Sequence, residues 1–185
     1  MLVSFLQQNF ILNQKGVKFM YRKISDFKRD WHYDLEQSVK LFNNLTDESL
    51  NQKVIEKGRS LGFLVWHLAQ TMGEMTGLVG LKIDAPDFET PVPNSVAEII
   101  SVFEKAAKSV TEEVSKNWTD ETLLQEDNMY GETWTRGQTL LYMIFHQAHH
   151  RGQITVLMRQ AGLKVVGIYG PAQEEWAEQG MPAMA

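Results

Sequence analysis

Between Ser25 and about Leu45, apolar residues recur every three or four positions, at Phe27, Trp31, Leu35, Val39 and Phe42. That spacing lays one face of a helix on a core. Thr46, Asp47 and Glu48 read as the start of a short helix, and Lys57 to Ser60 as a polar break in which Ser60 caps the next helix. From Leu61 to Leu81 the residues Leu64, His67, Leu68, Met72, Met75 and Leu78 predict a strongly apolar helix containing glycines 62, 73, 77 and 80. Each interior glycine costs about 1 kcal/mol unless it permits close packing. Three prolines and two aspartates between Asp84 and Pro93 then forbid any helix.

Ser95 and Glu98 have capping-box spacing, and the stripe Ile99, Val102, Phe103, Ala106, Val110 and Val114 follows, ending near Asn117. A turn around Thr119 to Leu124 leads through MYGETW to a second capping box, Thr135 and Gln138, which opens the last long helix. Gly162 is its natural stop. Four long amphipathic helices, one proline-rich crossover and no alternating strand segment predict an all-α four-helix bundle with a long crossover connection. The RGQ at Arg136 and again at Arg151 falls at a helix start and in a helix middle, so it marks no repeat.

The chain has 185 residues, 43% of them apolar, enough for one domain with one core. MYRKISDFKRDW opens a cleaner segment than what precedes it, so the bundle domain is expected over residues 20–185, with residues 1–19 as an N-terminal extension of no assigned role. The apolar run Phe10 to Leu12 is broken at Asn13, far short of the roughly 20 residues that span a bilayer. No basic start and cleavage site precede it, and a cytoplasmic location without membrane attachment is expected. With no cysteine, any metal must take nitrogen or oxygen ligands. A net charge of -5 without a dense Lys/Arg cluster argues against a nucleic-acid partner.

His146 and His150 stand four residues apart on the last helix, rotated by only about 40° and separated by roughly 6 Å along the axis. Two imidazoles so placed can converge on one ion, with a third ligand from a facing helix, where His67 sits in LVWHLAQ. His67 alone reads as a core histidine bonded to a carbonyl; two further histidines on an apolar stripe, costly to bury without partners, favour ligation. His149 lies about 60° from His146, at the edge of the stripe. It fits a proton carrier near the mouth or a hydrogen-bonding partner of a neighbouring helix, and both readings stay open.

Tyr142 and Gln153, a turn before and two turns after His146, are placed to orient ligands or to make ordinary polar contacts. Arg151 points about 140° away from His146, toward an acidic partner on another helix. Glu74 shares the face of His67 but stands about 10 Å along the axis, too far to bind the same ion. His32, Asp34 and Glu36 have no recommending spacing and read as surface residues.

FLVWHLAQ, followed far downstream by TWTRGQTLLYMIFHQAHHRGQITVLMRQAG, resembles the DinB/YfiT-like superfamily of metal-binding four-helix proteins. HxxxHRGQ is the most specific part, and the closing YGPAQEEWAEQGMPA also resembles the tail of some members. The resemblance implies that His67, His146 and His150 bind a metal and that His149 does not. It implies a reaction no more closely than a thiol-dependent transfer or isomerisation.

Three neutral imidazoles leave coordination positions open, as in a catalytic site. One divalent ion is expected, zinc by default, with nickel, iron and manganese open. Such an ion lowers the pKa of water toward about 7 or ionises a thiol outright. The leading expectation is a thiol-dependent S-transferase, using a low-molecular-weight thiol and a small electrophilic substrate, with His149 as the catalytic proton carrier. The alternatives are a metal-dependent hydrolase and a non-catalytic metal- or ligand-binding module. Candidate exposed aromatics and Trp176 in the tail suggest a homodimer.

Overall fold

A computed structural model describes residues 20–180 and Pro182. The expected N-terminal extension, residues 1–19, lies outside the described residues, as do Met181 and the last three positions of the tail. The fold is all-α and built on four long helices: α1 (Ile24–Phe42), α2 (Leu61–Gly77), α3 (Val96–Asn117) and α4 (Arg136–Gln160), with a short α5 (Gln173–Trp176) in the tail. Single-turn 3₁₀ segments at Glu48–Asn51, Thr122–Leu124 and Ala177–Gln179 serve the connections. α1 packs against α3 and α4, and α2 packs against the same two, so α1 and α2 face each other diagonally across the core.

The predicted stripes are what fills that core. Phe27 stacks on Trp31 with ring centroids 5.9 Å apart, and Phe42 meets Phe103 edge-on at 5.1 Å. Each of these rings is at most 1% exposed. Burying each contributes about 1.5–3 kcal/mol. Trp31 keeps its one polar atom satisfied by donating Nε1–H to the Ala107 carbonyl.

Helix ends follow both local and distant chemistry. Ser60 accepts from the Phe63 amide as predicted, and Thr135 with Gln138 forms the full reciprocal box at the start of α4. At α3 only half of the predicted box forms, Ser95 accepting from the Glu98 amide at 3.5 Å. The Val96 amide, the first of the helix, donates to Asp47 Oδ1 at 2.7 Å, and the Ile24 amide of α1 to Asp120 Oδ1 at 2.9 Å. Both aspartates come from connections remote in sequence. α2 ends at Gly77 rather than Leu81, because Gly80 adopts φ +83° and the Leu81 amide turns back to the Thr76 carbonyl. Gly62 sits at a close approach: a Cβ there would stand 3.1 Å from Leu50.

The expectation of no strand is corrected. β1 (Glu126–Met129) pairs antiparallel with β2 (Glu132–Thr135) across a two-residue turn, in the register Met129↔Glu132 to Glu126↔Thr135. Tyr130 at φ 56° and Gly131 at φ 86° give that turn the twist a tight hairpin needs. Met129 is fully buried, and Asp127 pairs with Arg136 at 2.9 Å, so the hairpin anchors the start of α4.

Asp34 is also corrected. It is 2% exposed, and the guanidinium of Arg151, itself 1% exposed, pairs with it across the bundle. Arg151 thus has the acidic partner on another helix that its direction predicted. His32 and Glu36 are exposed, as expected, and pair with each other at 3.2 Å.

Candidate metal centre

His146 and His150 stand one turn apart on α4, and His67 faces them from the middle of α2, a neighbour of α4 in the bundle. One ring nitrogen from each of the three lies within 4.8 Å of the others. The Nε2 atoms of His146 and His150 are 3.1 Å apart. Two nitrogens held at about 2.0–2.1 Å on a tetrahedral ion would stand about 3.3 Å from each other, so the α4 pair needs only a small adjustment to share one.

The second nitrogen of each α4 imidazole is engaged elsewhere, which turns Nε2 inward. His150 Nδ1–H donates to Gln153 Oε1 at 2.9 Å, and Gln153 Nε2–H donates in turn to His149 Nε2 at 3.0 Å. His146 Nδ1 lies 3.5 Å from Thr71 Oγ1, whose hydroxyl donates to the His67 carbonyl at 3.0 Å. Partners of this kind fix tautomer and ring orientation in histidine metal sites. Gln153 therefore contacts a ring of the group, a position compatible with either of the roles its spacing left open. Tyr142 instead packs edge-on against Trp134 at 4.6 Å, and Glu74 is no member of the three-histidine group.

Burial lowers the pKa of all three histidines. His67 and His146 fall to about 4, with neighbouring imidazoles and Arg59 adding to the effect of burial. His150 is also lowered by burial, partly opposed by its hydrogen bond to Gln153. At neutral pH the three rings are unprotonated, the state a metal requires of them. An all-nitrogen set of this geometry and protonation fits a divalent ion.

His149 is exposed, with its ring centroid 4.9 Å from that of His150. It stands beside the three-histidine group without belonging to it. The approach to the group is aromatic. Phe63 stacks on His67 at 5.8 Å and 14°, and Phe88 of the crossover lies 6.1 Å from His67 on a tilted plane. Trp66 and Gln70, on either side of His67 in sequence, fasten that crossover by donating to the carbonyls of Thr90 and Asp87. Phe88 sits between those two anchors. Sequence reasoning missed Thr71, Phe63, Phe88 and Arg59. The four-residue step from Phe63 to His67 was a signal for one shared face, whereas Arg59 precedes the extended cap and no periodicity pointed to it.

A separate cavity of about 720 Å³ opens between α1 and α4, with Tyr33, Leu141, Ile144 and Phe145 in its walls. None of the three histidines lines it.

Comparison with known proteins agrees with this fold. The chain is 41% identical to an uncharacterised protein, YrdA, of Bacillus subtilis (strain 168) over 164 residues, 89% of this chain and 98% of that one. A crystal structure of a DinB-like protein from Bacillus cereus ATCC 10987 superposes with a TM-score of 0.78 at 37% identity, covering 81% of this chain and all of the other. A second DinB-like protein, YjoA from Bacillus subtilis, shares the fold with a TM-score of 0.62 at 16% identity, over 79% of this chain and 98% of that one. Residues 20–181 match the family model of the DinB family, and with a 41% identical relative spanned almost end to end, the chain belongs to that family.

Proposed function

We propose that this protein is a metal-dependent enzyme in which His67, His146 and His150 hold one divalent ion, zinc by default, and a low-molecular-weight thiol is transferred to a small electrophile. The observation that carries this reading is the convergence of three unprotonated imidazoles in a group that, among the described residues, includes no carboxylate. Three neutral ligands leave a position open and leave the charge of a divalent ion uncompensated, conditions that suit catalysis better than a closed structural site. When bound, the ion would supply the positive charge that favours ionisation of a thiol or of water.

The surrounding residues have separable tasks. Gln153 holds the His150 ring, Thr71 faces the outer nitrogen of His146, and Phe63 and Phe88 present apolar rings beside His67. His149, exposed and beside His150, takes up the proton that the thiol releases. The thiolate sulfur then forms a bond to the electrophilic carbon, and the leaving group departs with its electron pair.

The domain is assigned to residues 20–185, with residues 1–19 as an extension. Among the described residues no helix is long and apolar enough to cross a membrane. A cytoplasmic location and a homodimer belong to the same reading. Exposed Phe145 and Val156 on α4 support the dimer, whereas Trp176 folds back onto the Pro171 carbonyl. Light scattering that gives a monomer mass across micromolar concentrations would refute it.

The functional test is elemental analysis of the purified chain beside His67→Gln and His150→Ala, followed by a screen of thiols against small electrophiles. The native chain should carry one ion and both variants none. Undiminished metal in either variant would remove the ligand assignment. Turnover of an ester or amide without thiol would move the activity to hydrolysis.

A further inference from the structure

Arg59 immediately precedes Ser60, the cap of α2, and its guanidinium carbon lies 5.2 Å from the centroid of the Phe63 ring. Phe63 in turn stacks on His67 at 5.8 Å. Guanidinium, phenyl ring and ligand-candidate imidazole therefore follow one another, Phe63 and His67 by their four-residue step on α2 and Arg59 from the extended entry ahead of the cap. The arginine is exposed, and among the described residues no carboxylate pairs with it. The first turn of α2 also carries no acidic side chain to neutralise it. Stacking on a ring keeps a guanidinium in place while leaving its donor edges free.

The charge around the site points the same way. Arg59 is close enough to act electrostatically on all three imidazoles. With the imidazoles neutral at neutral pH, Arg59 supplies a fixed positive charge beside them on a chain of net charge -5. A divalent ion on neutral ligands would add to that charge.

We infer that Arg59 is the anion-recognition residue of the three-histidine site, and that the small molecule bound there carries a carboxylate separated from its metal-ligating group. One end of such a molecule lies at the histidines, its body runs beside Phe63, and its carboxylate accepts from the Arg59 fork. Arginine suits this task because its planar donors match a carboxylate bidentately. The inference rests on the histidines being ligands, and it holds whether a thiol or water is the nucleophile.

The test uses the full chain loaded with Co²⁺, whose visible spectrum reports ligands arriving at the ion. Two hydroxamates share the same metal-ligating head: succinohydroxamate ends in a carboxylate, and butyrohydroxamate ends in a methyl group. The native chain should bind the first about tenfold more tightly, the size of one charge-assisted hydrogen bond. Arg59→Gln should load the same amount of metal and bind the two within about twofold of each other. Arg59→Lys should retain part of the preference.

Equal affinities in the native chain would overturn the assignment. So would a preference that survives in Arg59→Gln, because the ion's own charge would then account for it. A chain that takes up no divalent ion would overturn the metal site itself, and elemental analysis shows this before any probe is added. Repeating the comparison with 3-mercaptopropionate and 2-mercaptoethanol tests the thiol separately. If the hydroxamates discriminate and neither thiol alters the spectrum, the proposed transfer chemistry fails while the Arg59 assignment stands.

Discussion

The guanidinium of Arg151 reaches across the interior to Asp34, Nη1 lying 2.7 Å from Oδ2, one residue along α4 from His150. Ser38 accepts a second bond from the same nitrogen at 2.7 Å, and the Tyr169 hydroxyl donates to the other Asp34 oxygen at 2.9 Å. The pair thus ties α1, α4 and the C-terminal tail together beneath the candidate metal site.

Removing one partner leaves the other buried and uncompensated. Asp34→Ala is expected to destabilise the fold by about 3–5 kcal/mol. For a chain of this size that is a fall in melting temperature of about 10 °C, measurable by calorimetry. Replacing both residues by Leu and Met should cost distinctly less, since no lone charge remains. Equal losses in the single and double variants would show that packing, rather than the unpaired charge, sets the cost.

Gln153 provides a test of the orienting shell. Gln153→Leu removes the acceptor for His150 Nδ1–H, and it is expected to weaken metal binding about 10–100-fold without changing its stoichiometry. Competition with a chromophoric chelator measures this directly. Thr71→Val should have a smaller effect, because its contact with His146 is already 3.5 Å long. An unchanged affinity in Gln153→Leu would mean that packing alone orients the ring.

The two sides of the site differ in how far the sequence revealed them. The three stripes of α1, α2 and α3 and the His146/His150 spacing follow from helical periodicity, a local property, so the bundle and the convergence of the three imidazoles were legible. Asp34 and Ser38 lie three and seven residues after Trp31 and so share its face, but the charge they meet there belongs to a residue 117 positions away from Asp34. Asp47 and Asp120 cap helices remote from them for the same reason. The hairpin escaped because each strand has four residues and its turn is Tyr-Gly rather than a strong turn pair. Arg59 was hidden by its setting in Lys57 to Ser60, a run whose composition reads as a break.

His149 separates metal binding from proton transfer. His149→Gln should keep the native metal content and, if the thiol transfer is found, lower its rate by about 10²–10⁴. Rate and metal content are measured on the same preparation. A full rate would assign the proton to solvent, and lost metal would move His149 among the ligands.

The histidines also fix the pH response of the metal-free chain. His67 and His146 titrate near pH 4 when folded, mainly because burial disfavours their charged forms, against an ordinary value of 6.5. Between those values the unfolded chain binds protons that the folded chain refuses, so stability must rise with pH across the window and level off above it. The expected result is a melting temperature that falls as pH is lowered from about 6.5 toward about 4, before most carboxylates titrate. Glutamine at position 67 cannot take up the proton, so His67→Gln should fall less steeply over the same range. A native chain with a flat profile across the window, or a variant with the same slope, would show that these imidazoles protonate as freely in the fold as outside it.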